Sequence, residues 1–314
     1  MNLPAFKDIF EAHELIHKFI HCTPVMTSTA IDRIIGAEIF FKCENLQKTG
    51  AFKFRGACNA VFSLTEEQAS HGVGTHSSGN HAAALALAAY MKGIQARIVM
   101  PSNSPEIKKK AVTGYGGIIT FCEPTLQSRE STLHKIAETT GIEIIHPYNN
   151  SKVIAGQGTA AKELLEALPH LDLVMCPVGG GGLLAGTALS VKALSNSCKV
   201  IAAEPSGADD AYRSFKAGYI IPSFHPKTIA DGLLTSLGEI NFTIVSEKVD
   251  DIITVSEESI IEAMRLVWER MKLVIEPSAA VALAALLENK ETFRNLRIGI
   301  ILSGGNIDLG NLPF

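Results

Sequence analysis

The chain has 314 residues, of which 46% are hydrophobic and 19% charged, with a formal net charge of −4. This is an ordinary globular composition, with ample core for one large or two medium domains. It offers no basic excess to hold nucleic acid and no apolar run fit to span a membrane.

The first residues, "MNLPAFKDIFEAHELIHKF", carry Asp8, Glu11 and Glu14 where a secretory signal would need an apolar core. The six cysteines, Cys22, Cys43, Cys58, Cys122, Cys176 and Cys198, are scattered and form no CxxC pair. They read as free thiols of a reducing compartment, so a cytoplasmic protein is expected.

Strand-like runs recur along the chain. "EIFFKCE" begins at Glu38, "VGTHS" at Val73, "ARIVMP" at Ala96, "GIITFC" at Gly117 and "EIIHP" at Glu143. "DLVMCPV" begins at Asp172, "KVIAAEP" at Lys199, "DIITVS" at Asp251 and "RIGIILSG" at Arg297. Helical patterns lie between most of them, over 51–62, 80–91, 105–112, 126–138, 157–168, 182–194, 257–271 and 278–288. Alternation at this spacing predicts βαβ units and parallel sheets flanked by helices. About nine strands are many for one open sheet, so two sheets and two domains are expected.

The first chemical signal is "KTGAFKFRGA", where Lys53 stands between Phe52 and Phe54. Such a lysine either snorkels to water or sits desolvated with a lowered pKa, ready to form a Schiff base. "SSGNH" follows a strand and opens a helix. Ser77, Ser78 and Asn80 there serve either as helix caps or as a carboxylate cradle. "VGGGGLLAG" also follows a strand. Its four glycines, Gly179 to Gly182, bare the backbone N–H groups that wrap a phosphate at a helix N-terminus. The same stretch fits a loose GxGxxA dinucleotide fingerprint, with Glu204 as a ribose-binding acid, so an NAD enzyme is a rival reading. "SGGN", from Ser303, is a third loop of this kind, and all three are expected on one sheet edge. Glu204 and Asp210 flank a tight turn. Unaided, they read as a solvated helix start rather than a cation site.

Taken in order with "VIAGQGT", "AAEPSGADDAY", "IADGL" and "WERMKLVIEPSAA", these stretches resemble the fold type II pyridoxal-phosphate (PLP) enzymes related to the tryptophan synthase β subunit. Within them the chain is most similar to the serine racemase and serine/threonine dehydratase group, from about residue 21 to 306. The resemblance implies a two-domain α/β fold: a large PLP-binding domain over 1–69 and 148–314, and a small mobile one over 70–147. It makes Lys53 the lysine that holds PLP, with Phe52 beside it. It makes Gly179, Gly180, Gly181, Gly182 and Leu183 the phosphate loop, Asn80 the partner of the ring hydroxyl and Ser303 that of the ring nitrogen. Ser77, Ser78, Asn80 and His81 would face the substrate. Ser78 matches the serine that serves racemases as a second acid–base group.

Glu204, the Ala208 carbonyl and Asp210 match the family's site for a divalent cation (Mg, Mn or Ca), which reverses the unaided reading. Arg129 matches an arginine near the racemase substrate pocket, a candidate for meeting a second carboxylate. Tyr148 departs from the asparagine of mammalian-type racemases. The implied function is β-elimination from L-serine, L-threonine or 3-hydroxyaspartate, giving a 2-keto acid and ammonia, with serine racemisation as the alternative. The expected partner besides the amino-acid substrate is a second copy, since relatives are usually dimers.

Overall fold

The computed structural model describes residues 3–77 and 79–314. Among the described residues ten strands form two sheets, one more strand than the sequence pattern predicts. They are β1 (Val25–Thr27), β2 (Glu38–Cys43), β3 (Val73–His76), β4 (Ala96–Pro101), β5 (Ile118–Cys122), β6 (Glu143–Ile144), β7 (Leu173–Pro177), β8 (Lys199–Pro205), β9 (Asp251–Val255) and β10 (Arg297–Leu302). The larger sheet runs β1-β2-β10-β7-β8-β9, and the smaller runs β5-β4-β3-β6. All pairs are parallel except β1 with β2. β1 is the strand missed from sequence, being only three residues long.

Parallel strands need crossovers, and the helices supply them on the sheet faces. The helix Pro277–Glu288 is almost wholly apolar and is buried against the larger sheet over 277–287. A helix that is apolar all round belongs in a core. The motif "VIAGQGT" lies in the helix Ser151–Ala167, and its glycines serve packing. A Cβ on Gly156 would stand 2.6 Å from the Arg55 carbonyl oxygen, so the helix Lys53–Phe62 approaches there only because the position is bare.

The expectation of three ligand loops on one sheet edge is corrected. The glycine loop follows β7 and "SGGN" follows β10, both at the carboxyl edge of the larger sheet. "SSGNH" follows β3, in the smaller sheet. The cavity lies where the two carboxyl edges face each other, because residues from all three loops line it.

A second feature holds this frame. Arg55 is fully buried and meets two carboxylates. Its Nε donates to Glu44 at 2.7 Å and its Nη1 to Glu163 at 2.7 Å, while Nη2 reaches both at 2.8 Å. Lys42 adds a 2.6 Å contact to Glu163. Burial alone would raise the Glu163 pKa, but the hydrogen bonds and charge of Arg55 hold it below the ordinary value. The network ties β2, the helix that begins at Lys53 and the helix Ser151–Ala167 together.

Candidate active site

Lys53 opens its helix and lines a cavity of about 300 Å³. Its Nζ donates to the Pro147 carbonyl at 3.0 Å and lies 5.1 Å from the centre of the Phe52 ring. Burial pushes its pKa down to about 8, against the charge of Glu276, which pulls it up. Of the two readings of a lysine between phenylalanines, the structure realises the desolvated one.

The glycine loop forms one wall. The helix Gly182–Leu194 starts where the sequence pattern places it, with Gly181 as N-cap in the left-handed region at φ 88°. A Cβ on Gly180 would meet the Tyr148 ring at 2.4 Å, so that ring packs on bare backbone. Among the described residues, the N–H groups of Gly179, Gly180 and Gly181 make no hydrogen bond to backbone. Three bare donors beside a helix N-terminus form an anion cradle suited to a phosphate. Asn241 braces it, donating to the Gly180 carbonyl at 2.6 Å and to that of Tyr148 at 3.1 Å. The sequence reading assigned Asn241 no role. It lies 61 residues from its loop partner, and an isolated asparagine carries no local signal.

The other residues expected from sequence converge on the same cavity. Phe52, Ser77, Asn80, His81, Leu183 and Ser303 line it with Lys53. Ser303 is buried, and its carbonyl accepts from the Phe52 N–H at 3.0 Å. His81 is buried, its Nε2 lying 3.3 Å from the Ile145 carbonyl, and burial holds its pKa well below the ordinary value. His76 and His146 stand edge to face at 5.7 Å, and burial lowers both, His146 to about 4. Near neutral pH these imidazoles are uncharged. Ser78 lies outside the described residues.

Arg129 also lines the cavity, from the helix Leu126–Thr140. Its Nε is buried and makes no hydrogen bond to the described residues. Glu276, in the stretch "WERMKLVIEPSAA", carries no functional signal in sequence, yet it is buried at the cavity wall and holds Asn80. Lys108 and Asp231 form an ion pair at the rim, joining the helix Glu106–Gly114 to the short helical turn Asp231–Leu233. A wider groove of about 700 Å³ adjoins the cavity but is not lined by Lys53 or the glycine loop.

Glu204, Ala208 and Asp210 lie around one turn, at the end of β8 and the start of the helix Asp210–Ala217. The tip of the turn, Ser206 and Gly207, is exposed, but Glu204, Ala208 and Asp210 are buried, which corrects the reading of a solvated helix start. Glu204 accepts the N–H groups of Ala211 at 3.0 Å and Tyr212 at 2.8 Å. Burial pushes Glu204 up to about 8 and Asp210 up to about 6. Neither buried Asp210 oxygen makes a hydrogen bond of normal geometry to the described residues, and burial outweighs the lowering effect of the Ser223 side chain on its pKa. Two carboxylates are a thin set. Among the described residues there is no cluster of three His, Cys, Asp or Glu side chains able to hold a metal.

A sequence profile of the family described as "Pyridoxal-phosphate dependent enzyme" matches residues 16–304. The chain belongs to that family. The dinucleotide reading of the glycine loop is therefore set aside. The chain is 51% identical over 314 residues to the beta-hydroxyaspartate dehydratase of Paracoccus denitrificans, covering 100% of both proteins. The crystal structure of serine racemase from Dictyostelium discoideum superposes with a TM-score of 0.94 at 52% identity, covering 98% of this chain and 99% of that one. The crystal structure of a T.th. threonine deaminase superposes at 0.93 with 43% identity, covering 98% and 99%. The protein is thus a PLP-dependent enzyme of the branch that holds dehydratases and serine racemases. The desolvated lysine and the bare N–H cradle have the chemistry to fit that cofactor, an amine suited to its aldehyde and N–H donors suited to its phosphate. No helix among the described residues is long and apolar enough to cross a membrane.

Proposed function

We propose that the enzyme is a dehydratase whose preferred substrate is a 3-hydroxy amino acid with a second carboxylate, of the 3-hydroxyaspartate class. The observation that carries this is Arg129. A buried guanidinium N–H without a hydrogen-bond partner among the described residues, in the wall that Lys53 shares, suits a carboxylate on the substrate's far end. The similarity to a beta-hydroxyaspartate dehydratase supports the same reading.

When bound, PLP supplies the electron sink that makes the α-proton acidic. The residues of this chain do the rest. The N–H groups of Gly179 to Gly181 would hold the phosphate, and Ser77 with the backbone N–H at the start of the Asn80 helix would hold the α-carboxylate. Lys53, with a pKa near 8, has enough neutral amine at physiological pH to take the α-proton on its Nζ. The β-hydroxyl leaves as water with one proton, balancing the one taken onto the Lys53 Nζ, and the enamine released adds water to give a 2-keto acid and ammonia. His76 and His146 stay neutral, which leaves Arg129 as the fixed positive charge at that end of the cavity. The segment over 70–147 acts as the moving part that closes on substrate.

Arg129→Met tests the substrate class. For 3-hydroxyaspartate, kcat/KM should fall about 10- to 100-fold, the worth of one charge-assisted hydrogen bond. For L-serine it should change less than about threefold. Equal losses on both substrates would sink the assignment. Serine racemisation is the second reading, favoured by the similarity to serine racemases. Following D-serine beside pyruvate in the serine assays decides it.

The cation belongs to the same proposal. Glu204, the Ala208 carbonyl and Asp210 would hold Mg²⁺, Mn²⁺ or Ca²⁺ through oxygen ligands. Both carboxyls have raised pKa values, so both bind protons that a cation must displace. Cation affinity should therefore rise about tenfold per pH unit between the two values, about 6 and about 8, and level off above. The sign for stability follows. A carboxyl with a raised folded pKa keeps its proton longer than in the unfolded chain, so cation-free protein loses stability as pH rises through this window. Saturating Mg²⁺ should flatten that slope in thermal melts, and Glu204→Gln should remove the effect. A cation response independent of pH would count against these ligands.

A further inference from the structure

Glu276 precedes the helix Pro277–Glu288 and is 4% exposed. Its carboxylate takes a forked hydrogen bond from the Asn80 Nδ2, at 2.8 and 3.1 Å. Its Oε2 also accepts the backbone N–H of Asn306 at 3.2 Å. On the other side of the Asn80 amide, the Asn306 Nδ2 donates to the Asn80 Oδ1 at 2.9 Å and to the Thr49 carbonyl at 2.7 Å.

The donors and acceptors admit one arrangement. The Thr49 carbonyl can only accept, so Asn306 must present its NH₂ there and to Asn80. Asn80 must then offer its oxygen to Asn306 and its NH₂ to Glu276. Turned the other way, Asn80 would set oxygen against carboxylate and NH₂ against NH₂. Glu276 uses one N–H of Asn80, and the other remains for a group in the cavity that Asn80 lines. The network also crosses between the sheets. Asn80 follows β3 of the smaller sheet, while Glu276, Asn306 and Thr49 belong to segments packed on the larger one.

We infer that Glu276 is a positioning residue for the cofactor: together with Asn306 it locks the Asn80 amide so that an N–H, not an oxygen, faces the ring of bound PLP. The acceptor oxygen of Glu276 makes the lock, and its charge acts on the cavity besides. Lys53 faces it across the cavity, and Asp231 and Lys108 act on it from the rim. Burial raises Glu276 to about 7, with the Asn80 hydrogen bond and Lys108 pulling it down and Asp231 adding to the rise. A carboxyl raised to about 7 changes charge close to neutral pH, and the visible absorbance of bound PLP is expected to report that change.

The test titrates apoprotein with PLP and follows visible absorbance against pH, in wild type, Glu276→Gln and Glu276→Leu. Wild type should show an absorbance transition with a midpoint near 7. Glu276→Gln can still accept from Asn80 through its amide oxygen. It should bind PLP within about threefold of wild type but lose the transition. Glu276→Leu removes the acceptor, and PLP affinity should fall about tenfold or more. Melting of each apoprotein reports folding, and if the leucine variant does not fold, the glutamine spectrum decides alone. A glutamine variant that titrates like wild type would overturn the inference. So would a flat wild-type spectrum, or a folded leucine variant with unchanged PLP affinity. A merely structural glutamate would not produce a transition that vanishes on an isosteric, uncharged replacement.

Discussion

Lys53→Ala should leave a folded protein that holds no PLP covalently and has lost at least about 10³-fold in kcat. After borohydride reduction, wild-type protein should carry the cofactor on Lys53, and the variant should carry none. The size of the effect follows from two roles on one atom. On the proposed mechanism the amine would be both the covalent anchor and the base at the α-carbon, and general-base catalysis alone contributes about 10²- to 10⁴-fold. Among the described residues, the other lysine lining the cavity is Lys108, held in an ion pair with Asp231 at the rim. The fold should survive because Lys53 makes one hydrogen bond, to the Pro147 carbonyl, and its removal relieves a partly buried amine of its desolvation cost. A variant that still reduced onto the chain, or kept more than a few per cent of activity, would contradict the assignment.

The second large effect concerns stability rather than chemistry. Arg55→Met should lower the unfolding free energy by about 3–5 kcal/mol, measured by urea denaturation near neutral pH. The residue is two positions after Lys53, and its guanidinium pairs the fully buried Glu44. Removing it leaves Glu44 with the Thr23 hydroxyl and leaves Glu163 with Lys42. Buried carboxylates stripped of their partner cost more than a lost contact, because their desolvation is no longer offset.

The pH dependence carries its own sign. Glu163 has a folded pKa below the ordinary carboxyl value, so its contribution is present above that value and disappears on acidification. The variant should therefore differ most from wild type at neutral pH and least in acid. An equal loss at both would mean that packing of the arginine stem, not its charge, supports the frame.

Much of the site is legible along the chain because its signals are local. Lys53 between two phenylalanines, the four glycines after an apolar strand and the polar loop at Ser77 each declare a conformation within about ten residues. The helix at Gly182 begins where the glycine run ends, since bare backbone there leaves both the turn and the N–H groups free. The alternation of strand and helix fixes an α/β fold in the same way.

What stays hidden is long-range pairing. β1 is three residues long, too short for any period to emerge, and its antiparallel partner is chosen by the sheet edge. The three loops look equivalent in sequence, and only the pairing of β3 with β4 and β6 puts one of them on a second sheet. Asn80 and Glu276 are 196 residues apart, and Arg55 and Glu163 are 108. A glutamate reads the same in sequence whether it faces water or a buried amide. The distinction is made by desolvation, which depends on everything packed around the group, and so it is decided only when the chain has folded.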